Sequence, residues 1–131
     1  MPRGGRRDYD RPGRHPRVLV ADSYDGARQS CARYLERFHF DVVEAADGEA
    51  ALARILAAPP RLILSEWDLP TMPAARLKRW LAQGGVGDIP VIVLATTVEA
   101  GEEVPRVAGI LRKPFSLVDM LQEVRRALRA A

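Results

Sequence analysis

The chain has 131 residues, 47% of them hydrophobic and 28% charged, which suits one ordinary domain and leaves little room for a second. No apolar run approaches the roughly 18 to 20 residues that cross a bilayer, and the N-terminus lacks the apolar stretch of a secretory signal, so a cytoplasmic protein with no membrane partner is expected. The single cysteine, Cys31, excludes an internal disulfide and a cysteine-based zinc site, and His15 and His39 make a poor metal constellation.

The formal charge of +3 is unevenly spread: residues 1–17 carry six arginines against Asp8 and Asp10, a net +4, which leaves the remainder at −1. Pro2, Gly4, Gly5, Pro12, Gly13 and Pro16, with almost nothing apolar between them, predict a flexible basic arm over residues 1–16 and a folded domain over residues 17–131. The arm reads either as a solvated leader or as a contact for an acidic protein or nucleic acid. Tyr9 is its only aromatic residue, and no recognition helix follows, so nucleic acid is the disfavoured partner.

From Val18 onward, short apolar runs alternate with segments of helical period, the pattern of successive βα units around a parallel sheet. The run Val18-Leu19-Val20-Ala21 is continuous rather than alternating, as in a strand covered on both faces. A stripe of Ala27, Cys31, Tyr34, Leu35 and Phe38 predicts a first helix with Cys31 as a core residue. Asp41-Val42-Val43-Glu44 is short and flanked by acids, so it reads as an edge strand. A helix from Asp47 or Gly48 to Ala57, with Leu52, Ile55 and Leu56 inward, ends before Pro59-Pro60.

Leu62-Ile63-Leu64-Ser65 and Val91-Ile92-Val93-Leu94 are two further central strands, separated by a helix over about Ala74 to Gln83 that stops at Gly84-Gly85. Between Thr97 and Gly109 the pattern fails, because Gly101 and Pro105 interrupt an acidic stretch, so a helix there is expected to be short or absent. Gly109-Ile110-Leu111 makes a peripheral fifth strand. A last helix, capped by Ser116, carries Leu117, Met120, Leu121, Val124 and Leu128 on one face.

A doubly wound sheet places its crevice at the carboxyl ends of its strands. Those ends carry Asp22-Ser23, Glu66-Trp67-Asp68, Ala95-Thr96-Thr97 and Lys113-Pro114-Phe115, so acidic groups and one lysine converge. With Val18–Asp22, Leu62–Met72, Ile89–Leu94 and Lys113–Phe115 in this order and spacing, the chain resembles a response-regulator receiver domain of two-component signalling over about residues 17 to 130. The resemblance implies a three-layer, flavodoxin-like sheet with strand order 2-1-3-4-5 and a shortened or absent fourth helix.

It also implies a site in which a strand-end aspartate takes a phosphoryl group from a histidine kinase beside Mg²⁺ held by acids after the first strand. Counting back from Pro70 puts Glu66 in the acceptor position, where the extra methylene moves the carboxylate on the order of 1 Å and spoils in-line attack. Asp68 is a remote substitute acceptor. Ser23 stands in place of a second acid beside Asp22, so a metal site of Asp22, Glu66 and the Asp68 carbonyl is expected to be weak, with Mg²⁺ not required. Ala95 takes the switch-hydroxyl position, with Thr96 one residue later, and Ile110 takes the aromatic switch. Lys113 is retained and expected to pair with Glu66, with a cis bond to Pro114.

These departures point to an atypical receiver, not an enzyme, that acts by protein–protein contact with a histidine kinase or output protein and without aspartyl phosphorylation. Two alternatives stay open: a functional phosphoacceptor using Mg²⁺ and Glu66 or Asp68, and a nucleic-acid-associated protein working through its arginine-rich arm. The last helix, with Arg125, Arg126 and Arg129 outward, suits a homodimer or a solvated face equally.

Overall fold

A computed structural model describes residues 15–85, 87–96 and 107–130 of the chain. Residues 1–14, which hold most of the predicted arm, and residues 97–106, where a shortened or absent helix was expected, lie outside the described residues. The elements run β1 (Arg17–Ala21), α1 (Asp25–Arg37), β2 (Asp41–Ala45), α2 (Gly48–Ala57), β3 (Leu62–Glu66), α3 (Ala74–Gln83), β4 (Val91–Ala95), β5 (Gly109–Arg112) and α4 (Leu117–Ala130). All strands pair in parallel in the order β2-β1-β3-β4-β5, as expected.

The continuous apolar runs of β1, β3 and β4 follow from this order, since a central parallel strand is covered on both faces. Val18, Val20, Leu62, Leu64, Ile92 and Leu94 point to a core under α1 and α4. Leu19, Ala21, Ile63, Val91 and Val93, their alternates along the strands, point to a second core under α2 and α3. Each fully buried leucine or isoleucine in these layers contributes roughly 1.5–3 kcal/mol. Among the described residues, no helix is long and apolar enough to cross a membrane.

Local chemistry sets the helix ends. Phe40 N–H donates to Leu35 O at 3.2 Å and His39 N–H to Glu36 O at 3.1 Å, a Schellman-type end to α1 with His39 at φ 70° where glycine is the usual choice. Asp47 caps α2 by accepting from Ala50 N at 2.8 Å. Ser116 Oγ accepts from Asp119 N at 3.0 Å, the cap expected for the last helix.

Two predicted helix faces are corrected. Leu56, expected inward on α2, is 65% exposed, and the buried set is Gly48, Ala51 and Ile55. Ala27 and Phe38, counted in the α1 stripe, are exposed, whereas Ala32 is buried beside Cys31 and Leu35. In both helices a small residue occupies the close approach to the sheet, which periodicity of large apolar residues does not register.

Cys31 is buried, and desolvation pushes its thiol up to about 11, with Asp22 adding to the shift and Lys113 opposing it. A thiol that ionises later in the folded chain than in the unfolded one contributes stability that is complete below pH 9 and is lost between pH 9 and 11. The loss is on the order of 2 kcal/mol. Urea midpoints of the native chain are expected to fall more steeply across that window than those of a Cys31→Ala variant, and parallel curves would refute this assignment.

Candidate functional site

The crevice sits at the carboxyl ends of β1, β3, β4 and β5. Asp22 is fixed at the tip of β1, because its N–H continues the ladder to Ala45 O at 3.0 Å. Asp22 is 1% exposed and each carboxylate oxygen has a partner: Oδ1 accepts from Tyr24 N at 2.9 Å, and Oδ2 meets Lys113 Nζ at 2.7 Å. The first contact is an Asx-type turn that starts α1, so the same carboxylate shapes the loop and faces the crevice.

Glu66 ends β3, fully within the sheet, with Trp67 N–H next donating to Leu94 O at 2.8 Å. Its Oε1 accepts from Ser23 Oγ at 2.8 Å and from Ser23 N at 3.2 Å. Its Oε2 lies 3.7 Å from Lys113 Nζ. The expected Glu66–Lys113 ion pair is present, and a shorter contact from Lys113 to Asp22 joins it. The short, hydrogen-bonded partner of Lys113 is Asp22, and Glu66 turns toward Ser23 because two donors there match its longer arm.

Lys113 follows β5, where its N–H donates to Ala95 O at 2.8 Å and its bond to Pro114 is cis. The ring of Tyr24 lies 4.6 Å from its Nζ, a cation–π contact on the open side of the ion pair. Arg28 braces the same loop through Asp22 O at 3.0 Å and Glu44 Oε1 at 3.1 Å. Sequence reasoning missed both Tyr24 and Arg28. The one available signal was proximity, since Tyr24 stands two residues after Asp22, where an aspartate commonly binds a backbone N–H.

Of the remaining predicted residues, Asp68 and Thr96 line the mouth of the crevice and are exposed, and Ala95 is buried at the end of β4. The parallel register pairs Glu66 with Leu94 and Ala95 with Arg112, so β4 keeps the alignment that puts Ala95, not Thr96, at its end. Ile110 is 41% exposed on the edge strand and stands apart from the acidic cluster. The crevice encloses about 260 Å³, and Trp67 forms part of its wall. An apolar hollow of about 610 Å³ adjoins it, between α1 and the start of α4, and shares Tyr24, Thr96 and Lys113 with it.

Chemically the crevice holds two buried carboxylates and one ammonium, paired with one another, and a third carboxylate, Asp68, exposed at its mouth. Among the described residues no group of three or more His, Cys, Asp or Glu side chains is placed to hold a metal ion.

The chain matches the response regulator receiver domain family over residues 18–125. It is 32% identical over 120 residues to the response regulator MprA of Mycolicibacterium vanbaalenii, covering 86% of this chain and 50% of MprA. It is 27% identical over 119 residues to the response regulator receiver protein CpdR of Brucella abortus, covering 88% of this chain and 98% of CpdR. It thus spans about half the length of MprA and nearly all of CpdR. The chemotaxis response regulator CheY4 of Vibrio cholerae superposes with a TM-score of 0.78 at 26% identity, covering 86% of this chain and 98% of that one. With the sheet order and crevice described above, the chain belongs to the response-regulator receiver domain family of two-component signalling.

Proposed function

We propose that this receiver works as a protein-binding module that does not depend on phosphorylation of its strand-end acid. The supporting observation is the state of Glu66: its Oε1 carries two hydrogen bonds from Ser23, at 2.8 and 3.2 Å, and its Oε2 faces Lys113. An attacking carboxylate oxygen must be free and aligned with phosphorus, and general positioning effects make a misplacement of about 1 Å worth on the order of 10²-fold in rate. Asp68 is exposed at the mouth of the crevice and has no lysine beside it among the described contacts, so it is a poor substitute acceptor.

The acidic set also suits Mg²⁺ poorly. Asp22 has a partner on each oxygen, Lys113 and the Tyr24 amide, and Ser23 offers a neutral hydroxyl where an acid would add charge. In this reading the domain is not an enzyme, no metal is required, and its partner is a histidine kinase or an output protein that recognises one fixed conformation of the crevice loops. A lone carboxylate mimics a phosphoryl group weakly, with about one negative charge against roughly two.

The test is intact-protein mass spectrometry after incubation with Mg²⁺ and acetyl phosphate. The expected result is an unchanged mass. A gain of one phosphoryl group on the native chain would overturn the reading and start a search for the acceptor.

A further inference from the structure

We propose that Ser23 and Glu66 are a matched pair that closes this crevice to divalent cations and leaves the Lys113 ammonium as its resident cation. The inference rests on the reading above, that the crevice is not a phosphoacceptor, and adds what governs its ion selectivity.

The argument starts from reach. A glutamate at the end of β3 extends its carboxylate far enough for Oε1 to meet both the hydroxyl and the amide of Ser23. An aspartate at position 66 is one methylene shorter and leaves the hydroxyl without that acceptor. Conversely, an acid at position 23 would place a second carboxylate 43 residues away in sequence yet against Glu66, a like-charge contact that the hydroxyl avoids. The two residues are therefore complementary in length and in charge.

Charge balance follows from the same pair. With a neutral Ser23, the crevice holds two buried carboxylates, Asp22 at 1% and Glu66 at 9% exposure, and one ammonium that lies 2.7 and 3.7 Å from them. A divalent ion of the Mg²⁺ class needs near-octahedral oxygen ligands at about 2.0–2.1 Å. To gain Asp22 Oδ2 and Glu66 Oε2 here it would have to displace Lys113 from both, with Ser23 holding Glu66 Oε1 and the third acid, Asp68, exposed at the mouth. The Ser23 hydroxyl donates its proton to Glu66, so it offers such an ion only a neutral oxygen where an acid would offer a charged one.

Mn²⁺ serves as the probe, since its free-ion electron paramagnetic resonance signal falls as it binds. The native chain, Ser23→Asp, Glu66→Asp, Ser23→Ala and the double variant Ser23→Asp/Glu66→Asp are titrated, with a thermal transition recorded for each. The double variant is expected to bind at least tenfold more tightly than the native chain and than either aspartate single variant. Ser23→Ala, a truncation at an exposed position that serves if the double variant does not fold, is expected to bind several-fold more tightly than the native chain.

Equal affinity of Glu66→Asp and the double variant would overturn the proposal by removing Ser23 from the pair. A native chain that binds as tightly as the folded double variant would overturn it too, as would a Ser23→Ala variant no tighter than the native chain. A phosphoryl adduct on the native chain with the Mn²⁺ pattern intact would sink the functional reading and leave the matched pair standing.

Discussion

Lys113→Met is expected to lower stability by about 3 kcal/mol, a fall in thermal midpoint of roughly 10 °C. The ammonium is the only cation within ion-pair distance of Asp22 and Glu66 among the described residues, and both carboxylates are nearly out of water. Removing one member of a buried pair leaves its partner charged and unpaired, which costs about 3–5 kcal/mol in dry sites. The lower end applies because the Lys113 side chain is 18% exposed and water partly screens the loss. The methionine stem still packs under Tyr24, so the lost charge, not a cavity, sets the effect. Chemical denaturation of Asp22→Asn/Lys113→Met checks this: deleting the orphaned charge is expected to restore part of the loss, and strict additivity of the two single variants would refute the assignment.

The second large effect lies away from charge. Gly48→Ala is expected to destabilise the domain by about 3 kcal/mol, because a Cβ there would stand 2.7 Å from Met72 N and 2.8 Å from its Cα, and would also collide with Met72 Cβ. The obstruction is backbone rather than a flexible side-chain tip, and the same backbone is tied to α2 by Gly48 N–H donating to Pro70 O at 2.7 Å. Thr71 at φ 67° leaves this connection little freedom to yield. Gly26→Ala, in the first turn of α1, is the control: its added methyl meets no atom within 4 Å, and the substitution is expected to stabilise by about 0.5 kcal/mol through helix propensity alone. Urea midpoints of the two variants should move in opposite directions. A common direction would show that close approach at Met72 does not decide the outcome.

The same contrast explains which parts of the fold could be read in advance. Strands β1, β3 and β4 were legible because burial on both faces writes itself as an unbroken apolar run, and their order follows from the family resemblance. The face of α2 was not, because Leu56 looked like a core residue while Gly48 and Ala51, which lack apolar bulk, are what the sheet and Met72 admit. Position along a strand predicted that Asp22, Glu66 and Lys113 would meet. It did not predict which carboxylate would hold the lysine, since a separation of 2.7 against 3.7 Å depends on rotamers and on the two donors that Ser23 supplies. Hydrogen-bond competition of this kind has no one-dimensional signature.

Tyr24 and Lys113 form a wall common to the acidic crevice and the apolar hollow beside it. Two sites with a common wall are coupled wherever the guest of one moves that wall. An occupant of the hollow that draws the Tyr24 ring off Lys113 changes the field felt by Asp22, and whatever later enters the crevice meets an altered host. Linkage makes that influence equal in the opposite direction: the factor by which one guest changes the affinity of the other is the factor returned. Two guests that each displaced this ring would read each other as cooperativity rather than as a covalent mark.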